Sequence, residues 1–356
     1  MRIEVVRPGD LGEGDVAAWR AIQARAGLDN PFLGPEFAQI VGRQRDDARV
    51  AVMLDDGRPA GFFAYERRRL RVGKPIGAGL SDCQAVVAEP ELDWDPGDLL
   101  VACDLAVWEF DHLVAAQPQF AGHHAEVVPS FVMDLSVGYE AFCAAVDARS
   151  KSFIPRARRG IRRLEREVGP VRLEYDDPSQ EAHRTIQAWK SAQYRRSGRP
   201  DRFSRPWVSA LVADLLATRT ETFQCRCSTL YAGDRVVAGQ INLHSPRVIA
   251  LWVIAYDTEV RRAGPGNVAD LLIAEEAARR GIAYIDMGRD DTPQKLRIGT
   301  GEIPVAEGCV ERPGVVAISR RAWRTPVRAT HRAIVRHPPV RRAVKRALRT
   351  VGGLLA

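Results

Sequence analysis

The stretch Ala250–Asp290, ALWVIAYDTEVRRAGPGNVADLLIAEEAARRGIAYIDMGRD, decides how this chain is read. An apolar strand over Ala250–Ala255 runs into a polar turn. Arg261-Arg262-Ala263-Gly264-Pro265-Gly266-Asn267 follows and opens an amphipathic helix. That helix ends at Gly281, where glycine accepts the left-handed cap, and the chain passes into a second strand, AYIDMG. A glycine-bearing turn at a helix start lets backbone N–H groups approach phosphate oxygens, and the helix dipole favours the anion. Arg261 and Arg262 add charge at the same place. A plain strand-to-helix turn with solvated arginines has the same local pattern, so the surrounding sequence has to decide.

Upstream, CRCSTLYAGDRVVAGQINLHSPRVIALWVIAYD (225–257) reads as three strands with turns at Gly233-Asp234 and Ser245-Pro246. Helices are expected at 137–168, 178–197 and 205–219, after a strand at 128–135. The first third repeats this plan. A strand at IEVVRP precedes helices at 13–27 and 35–44. Two strands then join at Asp56-Gly57, a strong hairpin signal. A glycine-rich loop follows at 73–84, then a helix near 97–109 and a strand at 111–116. DGRPAG (56–61) and DRVVAG (234–239) echo one another, which points to two copies of one α/β unit.

At 356 residues two domains are expected, here 1–128 and 129–311, followed by a basic helical segment at 312–356. The net charge of +7 is uneven. From Arg312 onward there are twelve Lys or Arg and no Asp or Glu, so residues 1–311 carry −5. A negative body argues against a general nucleic-acid-binding domain. The basic segment suits an interfacial helix on anionic lipid, or docking against the acidic body, or disorder. No apolar run reaches membrane-spanning length and no signal peptide is evident, so a cytoplasmic protein, in contact at most with the inner membrane face, is expected. The six cysteines read as reduced structural thiols. The Cys225-x-Cys227 pair is read as pointing to opposite strand faces, a poor metal clamp, and no metal site is expected.

The spacing R-x-x-G-x-G (Arg261, Gly264, Gly266) on a strand–turn–helix–strand resembles the acyl-CoA pyrophosphate motif of GNAT acyltransferases. The second half is similar to the FemAB-like branch known from CelD-type cellulose-biosynthesis proteins. It shares a basic helix (KSFIPRARRGIRRLERE, 151–167), a Trp-bearing helix (IQAWKSAQYRRSGRP) and the segment GPGNVADLLIAEEAARRGIAYIDMGRDDTPQKLRIG. The likeness is loose in the N-terminal half, at NPFLGPEFAQ and GLSDCQ. The branch usually has glycine where Asp290 stands and tyrosine where Gln294 stands.

The resemblance implies an α/β (α+β) fold of tandem GNAT-like domains, each a mixed, mostly antiparallel sheet flanked by helices, with only the C-terminal one binding the acyl donor. It implies acyl-CoA, acetyl-CoA first, as co-substrate, held by the backbone of Ile254 and Ala255 and by Arg261, Arg262, Gly264, Gly266 and Asn267. An amine would attack the thioester directly, with no covalent enzyme intermediate. Asp286 is a candidate for orienting substrate or acting as base, or else a loop-capping carboxylate. Arg289, Asp291 and Lys295 sit in a charged loop placed to line the acceptor site. Tyr256 is a candidate for protonating the departing thiolate. Trp189 and Gln193, one helical turn apart, and His244 at a strand end are candidates for substrate contact, against plain packing roles. The acceptor would be an amine of a sugar, glycan precursor or small metabolite. A Fem-type transferase using aminoacyl-tRNA and a non-catalytic accessory protein of polysaccharide biosynthesis are the alternatives.

Overall fold

Alternation of buried and exposed residues along each β-run sets the architecture, because successive strand side chains point to opposite faces. The computed structural model describes residues 1–77 and 79–314. The expectations for the basic segment beyond residue 314 lie outside the described residues. The N-terminal half comprises β1 (Arg2–Val6), α1 (Glu13–Arg25), α2 (Pro35–Gln44), β2 (Ala48–Asp55), β3 (Arg58–Arg68), β4 (Val72–Pro75), β5 (Val87–Ala88), α3 (Pro96–Ala102) and β6 (Val107–Val114). The chain continues through β7 (His124–Asp134), α4 (Tyr139–Arg149), α5 (Phe153–Glu167), β8 (Val171–Glu174), α6 (Gln180–Arg196) and α7 (Pro206–Ala217). It ends with β9 (Gln224–Ala232), β10 (Arg235–His244), β11 (Val248–Tyr256), α8 (Pro265–Arg279), β12 (Tyr284–Arg289), α9 (Pro293–Ile298) and β13 (Gly301–Glu311).

These strands form one sheet in the order β1-β2-β3-β4-β6-β13-β7-β12-β11-β10-β9-β8, with β5 on the side against β3. Among the named strands of the described residues, β4–β6 and β11–β12 pair in parallel and the other pairings are antiparallel. The fold is therefore a mixed, mostly antiparallel α/β sheet flanked by helices, with the β2–β3 and β9–β10 hairpins at corresponding places in the two halves. The sheet runs without a break past residue 128, because β13 inserts between β6 and β7 and bonds to both.

One face of the sheet carries a single apolar core shared by both halves. Trp19, Ile22 and Phe37 of α1 and α2 meet Ile186, Val208 and Leu211 of α6 and α7 over Val50, Val52, Ile241 and Val253. The opposite face has two separate cores. One lies under α4, α5 and α8, with Val146, Ala157, Leu164, Val268 and Ala274 packed on Ile249, Leu251 and Ile285. The other, under α3, gathers Phe63, Tyr65, Leu99, Trp108 and Phe120. Among the described residues no helix is long and apolar enough to cross a membrane.

Four expectations are corrected. The helix near 97–109 stops at Ala102; Asp104 takes a positive φ of 50° and the chain turns into β6, which starts at Val107 rather than 111. The helix at 137–168 is two helices, broken at Ser150–Ser152. Pro155 explains the break, since proline is tolerated only in a first turn, and it occupies the third position of α5. Part of the expected charged loop is helical: α9 starts at Pro293, with the Thr292 side chain accepting the Lys295 N–H. Cys225 and Cys227, two apart on β9, share one face and the same buried core, as a period of two demands; both are free thiols.

Candidate functional site

The site begins where β11 and β12 part. Their parallel pairing covers Val248, Ile249 and Ala250 against Tyr284, Ile285 and Asp286, and then stops. The cause is local. A bulge in β11 places Leu251 and Val253 opposite Asn242 and Ile241, so Trp252 is the extra residue. The bulge shifts the alternation, sending Val253 and Ala255 to the shared core face after Ile249 and Leu251 have faced the other way. Trp252 is tied down at both ends. Its backbone N–H donates to Asn242 Oδ1 at 3.4 Å, and its indole Nε1 donates to Leu80 O at 2.9 Å.

A buried polar chain braces this splay from behind. Asn242 Nδ2 donates to Gln240 Oε1 at 3.1 Å, and Gln240 Nε2 donates to Asp270 Oδ1 at 2.7 Å. Gln294 donates to the other oxygen of Asp270. Burial pushes the Asp270 carboxyl up to about 6, against those two amide donors. Gln294, one of the two departures from the CelD-type pattern, is thus engaged in linking α9 to α8. The other departure, Asp290, has a φ of +89°, in the region that favours glycine.

On the α5/α8 face, beyond the end of β11, lies a cavity of about 570 Å³. It is lined by Arg261, Arg262, Gly264 and Asn267 from the turn and by Arg156, Arg159, Arg162, Arg163 and Arg166 from α5. Gly264 is left-handed, at φ 64°, and Pro265 fills the first helical position where no N–H is needed. The N–H groups of Gly266 and Asn267 then open α8 without helical partners. The two helices approach closely through a glycine. A Cβ at Gly160 would stand 2.2 Å from Ala263 O, so α5 lies directly on the turn. Tyr256, 42% exposed, stands beside Gly266 at the strand end.

On the opposite face, between α6–α7 and the N-terminal half, opens a cleft of about 1200 Å³. It reaches the splay at Leu251–Ile254 and Met287–Asp290. The N-terminal half supplies Asp82, Asp111 and His112. Gln84 clamps this group: its Nε2 donates to Asp111 Oδ1 at 2.6 Å, and its Oε1 accepts the N–H groups of Asp111 and His112. His112 Nδ1 lies 3.0 Å from Asp111 Oδ1, and its Nε2 is 3.9 Å from Asp82 Oδ1. The tautomer that donates from Nδ1 to Asp111 leaves Nε2 able to accept a proton. Burial pushes Asp82 up to about 6, opposed by the charges of His112, Arg202 and Lys295. Asp111 is half-exposed; its partial desolvation is outweighed by hydrogen bonds from His112 and Gln84 and the charge of Arg289, which hold it below the usual carboxylate range.

The sequence-predicted residues divide between these places. Arg261, Arg262, Gly264 and Asn267 line the smaller cavity, with Gly266 next to them. Ile254, Arg289 and Lys295 line the cleft. Arg289 donates to Asp111 O and pairs with Glu307, so it bridges β12 to β6 and β13. Lys295 folds back, with Nζ donating to Gly288 O at 3.0 Å and Arg289 O at 2.6 Å; burial lowers its pKa. Ala255 is buried in the shared core.

Others lie elsewhere. Asp286 is buried with its carboxylate filled by Asn30 Nδ2 at 3.0 Å, Ser130 Oγ at 2.6 Å and Gly288 N at 2.9 Å. Burial raises its pKa, and it acts as an anchor joining the Asn30 turn to β7 and β12. Asp291 is exposed and outside the cleft lining. On α6 the helical phase turns Lys190 and Tyr194 into the cleft; Trp189 packs on the shared core and Gln193 is exposed. His244 is 6% exposed, edge-on to Tyr175, and burial with nearby arginines lowers its pKa to about 3. It is a core histidine. Sequence reading missed Asp82, His112, Lys190 and Tyr194. The quoted segments held hints, since GLSDCQ contains Asp82 and IQAWKSAQYRRSGRP contains Lys190 and Tyr194, but nothing in the sequence joined them to His112. Among the described residues no group of three or more His, Cys, Asp or Glu is placed to hold a metal ion.

Residues 151–296, from the basic helix into α9, match the model of a GNAT acetyltransferase domain. The fold is similar to that of FemX, with a TM-score of 0.56 at 10% identity over 87% of this chain and 96% of that one. It is similar also to the C-terminal domain of an Agrobacterium fabrum protein assigned as a lysylphosphatidylglycerol synthetase, with a TM-score of 0.53 at 11% identity over 85% of this chain and 94% of that one. A Bacteroides thetaiotaomicron protein of unknown function aligns with a TM-score of 0.53 at 11% identity over 87% and 100% of the two chains. No curated protein matches the sequence. The second half thus carries a GNAT-type acyltransferase fold.

Proposed function

We propose that the protein is an acyl-CoA-dependent N-acyltransferase whose donor and acceptor approach the β11–β12 splay from opposite faces of the sheet. The observation that carries this reading is the splay itself. It has an all-cationic, glycine-turned cavity on one side and a mixed-charge cleft on the other. The cavity fits a diphosphate: Arg261, Arg262 and Asn267 line it without a carboxylate in the lining, next to the α8 N-terminus where Gly266 sits. Bound acyl-CoA supplies the thioester whose acyl carbon the amine attacks. Beyond Ala250, β11 stays paired with β10 but lacks its β12 partner, so the backbone groups on its β12 side are open to an extended chain and can polarise a carbonyl.

In this reading His112 takes the proton that the amine loses. Asp111 fixes its tautomer, and Asp82 attracts the incoming ammonium. Met287 and Leu251 line the cleft and also belong to the apolar core on the opposite face. The test is thiol release from acetyl-CoA and longer acyl-CoAs in the presence of a panel of amines. Thiol release that depends on amine and is lost in His112→Ala supports the reading; no release and no acyl-CoA binding would sink it.

A second reading has one observation in its favour. Seven arginines around one cavity exceed what a diphosphate of charge about −2 requires, and the fold resembles FemX and the lysylphosphatidylglycerol synthetase domain. An aminoacyl-tRNA donor would use that excess. Tight tRNA binding combined with indifference to CoA would favour it.

A further inference from the structure

The acceptor cleft is electrically divided. Asp82, Asp111 and His112 hold one side. On the other, α6 presents Lys190 and Tyr194, and the connection from α6 to α7 brings Arg199, Arg202 and Arg205 to the mouth. No carboxylate within ion-pair distance is found for Lys190, Arg199, Arg202 or Arg205 among the described residues. Neighbouring arginines do find partners: Arg195 pairs with Asp201, and Arg219 and Arg226 with Asp176. Arg202 donates to a backbone carbonyl, Gly79 O, at 2.9 Å, and Lys190 donates to Ile254 O at 3.3 Å. Burial lowers Lys190 to about 8, with the like charges of Arg199 and Arg202 adding to it. Asp82 is a carboxylate whose charge reaches Lys190 and Arg202, but it ion-pairs with neither and is one charge against several, so an anion bound among these cations removes repulsion that Asp82 leaves.

We infer that the acceptor is an amine that also carries an anionic group, phosphate or carboxylate, held by Lys190, Arg199 and Arg202 while its nitrogen faces Asp82 and His112. The placement of the nitrogen beside Asp82 and His112 rests on the acyl-transfer reading, whereas the anion site does not. A neutral amine would meet the acidic side and bring no charge to the cations. A bipolar ligand satisfies both sides, and charge-assisted hydrogen bonds to guanidinium are about twice as strong as neutral ones.

The experiment is calorimetric titration of the full chain with matched amines: glucosamine against glucosamine 6-phosphate, ethanolamine against phosphoethanolamine, and propylamine against β-alanine. At least one anionic member is expected to bind at least tenfold more tightly than its neutral counterpart. The first two pairs report on phosphate and the third on carboxylate. In Arg199→Gln/Arg202→Gln the preference should fall to within about twofold, and in Arg199→Lys/Arg202→Lys it should persist. Acetyl-CoA affinity should be the same in both variants as in the parent. Equal affinities within every pair, no binding of any amine, or a preference that survives the glutamine variant would each overturn the inference. Anion preference without acetyl-CoA binding would sink the donor assignment and leave the anion site standing.

Discussion

The arginine cavity and the large cleft lie on opposite faces of one sheet and are built in opposite ways. The cavity comes from two segments of the second half, α5 and the turn into α8, and its lining charges all have one sign. The cleft draws on both halves of the chain, from Arg68 to Gly308, and mixes acids with bases. A single-sign pocket with permanently charged arginines grips a polyanion without regard to pH. A mixed pocket with Asp82 near 6 and Lys190 near 8 is tuned, and therefore breakable, one group at a time.

The largest expected effect breaks the cavity alone. In Gly160→Val the new side chain meets Ala263 O at 2.2 Å and Val268 Cγ2 at 2.9 Å, forcing α5 away from the turn. We expect a loss of about 3 kcal/mol in chemical denaturation, with donor binding abolished and acceptor binding at the cleft retained. Loss of both affinities in a still-folded variant would show that the two regions are not separable.

Asp82→Asn is the counterpart on the other face. Removing the carboxylate charge while keeping the shape should raise the acceptor KM at least tenfold, about 1.4 kcal/mol, with donor affinity unchanged. Steady-state kinetics with each substrate varied in turn will check it.

The pH dependence sharpens the contrast further. Asp82 carries its charge only above about 6, so acceptor affinity should fall as pH drops through that value. Lys190 is cationic only below about 8, so affinity for an anionic acceptor should fall again as pH rises through it. Asp82 itself faces His112, Asp286, Arg202 and Lys295, and Lys190 faces Arg199, Arg202 and Asp82. Donor affinity should stay flat from pH 7 to 9, since arginine does not titrate there. In Lys190→Arg the upper limb should disappear from a titration series across this range.

The smallest effect is at the rim of the splay. Asp290→Gly should stabilise the chain by about 1 kcal/mol, because φ of +89° costs an L residue what it does not cost glycine. An unchanged or lower denaturation midpoint would show that the aspartate side chain compensates for its backbone.

The same contrast explains what was legible in the sequence. The cavity could be read because its glycines, arginines and helix start lie within seven residues of one another, and α5 announced itself by charge. Hairpins at Asp56-Gly57 and Gly233-Asp234 and the stop at Gly281 were readable for the same local reason. The cleft could be read only in part, at Arg289 and Lys295. His112 and Asp82 meet across 30 residues and face Lys190 and Arg202 only through the shared core. On α6, Trp189 and Gln193 drew attention as residue types, whereas the helical phase, set by Ala182 and Ile186 packing inward, turned Lys190 and Tyr194 to the cleft. β13, with Pro304 and Gly308 within it, lacks a strand-like composition; its place is fixed by pairing with β6 and β7.

Acetyl-CoA binding to the parent chain and to Gly266→Glu tests the central claim most directly. Gly266 has room for a side chain: the nearest atom to its Cβ would be Tyr256 Cδ1 at 3.6 Å, so the fold should be undisturbed. The account predicts a saturable thermal shift for the parent, following RT ln(1 + [L]/Kd), and none for the variant at an unchanged unliganded midpoint. Equal shifts in both proteins, or none in the parent, would contradict it.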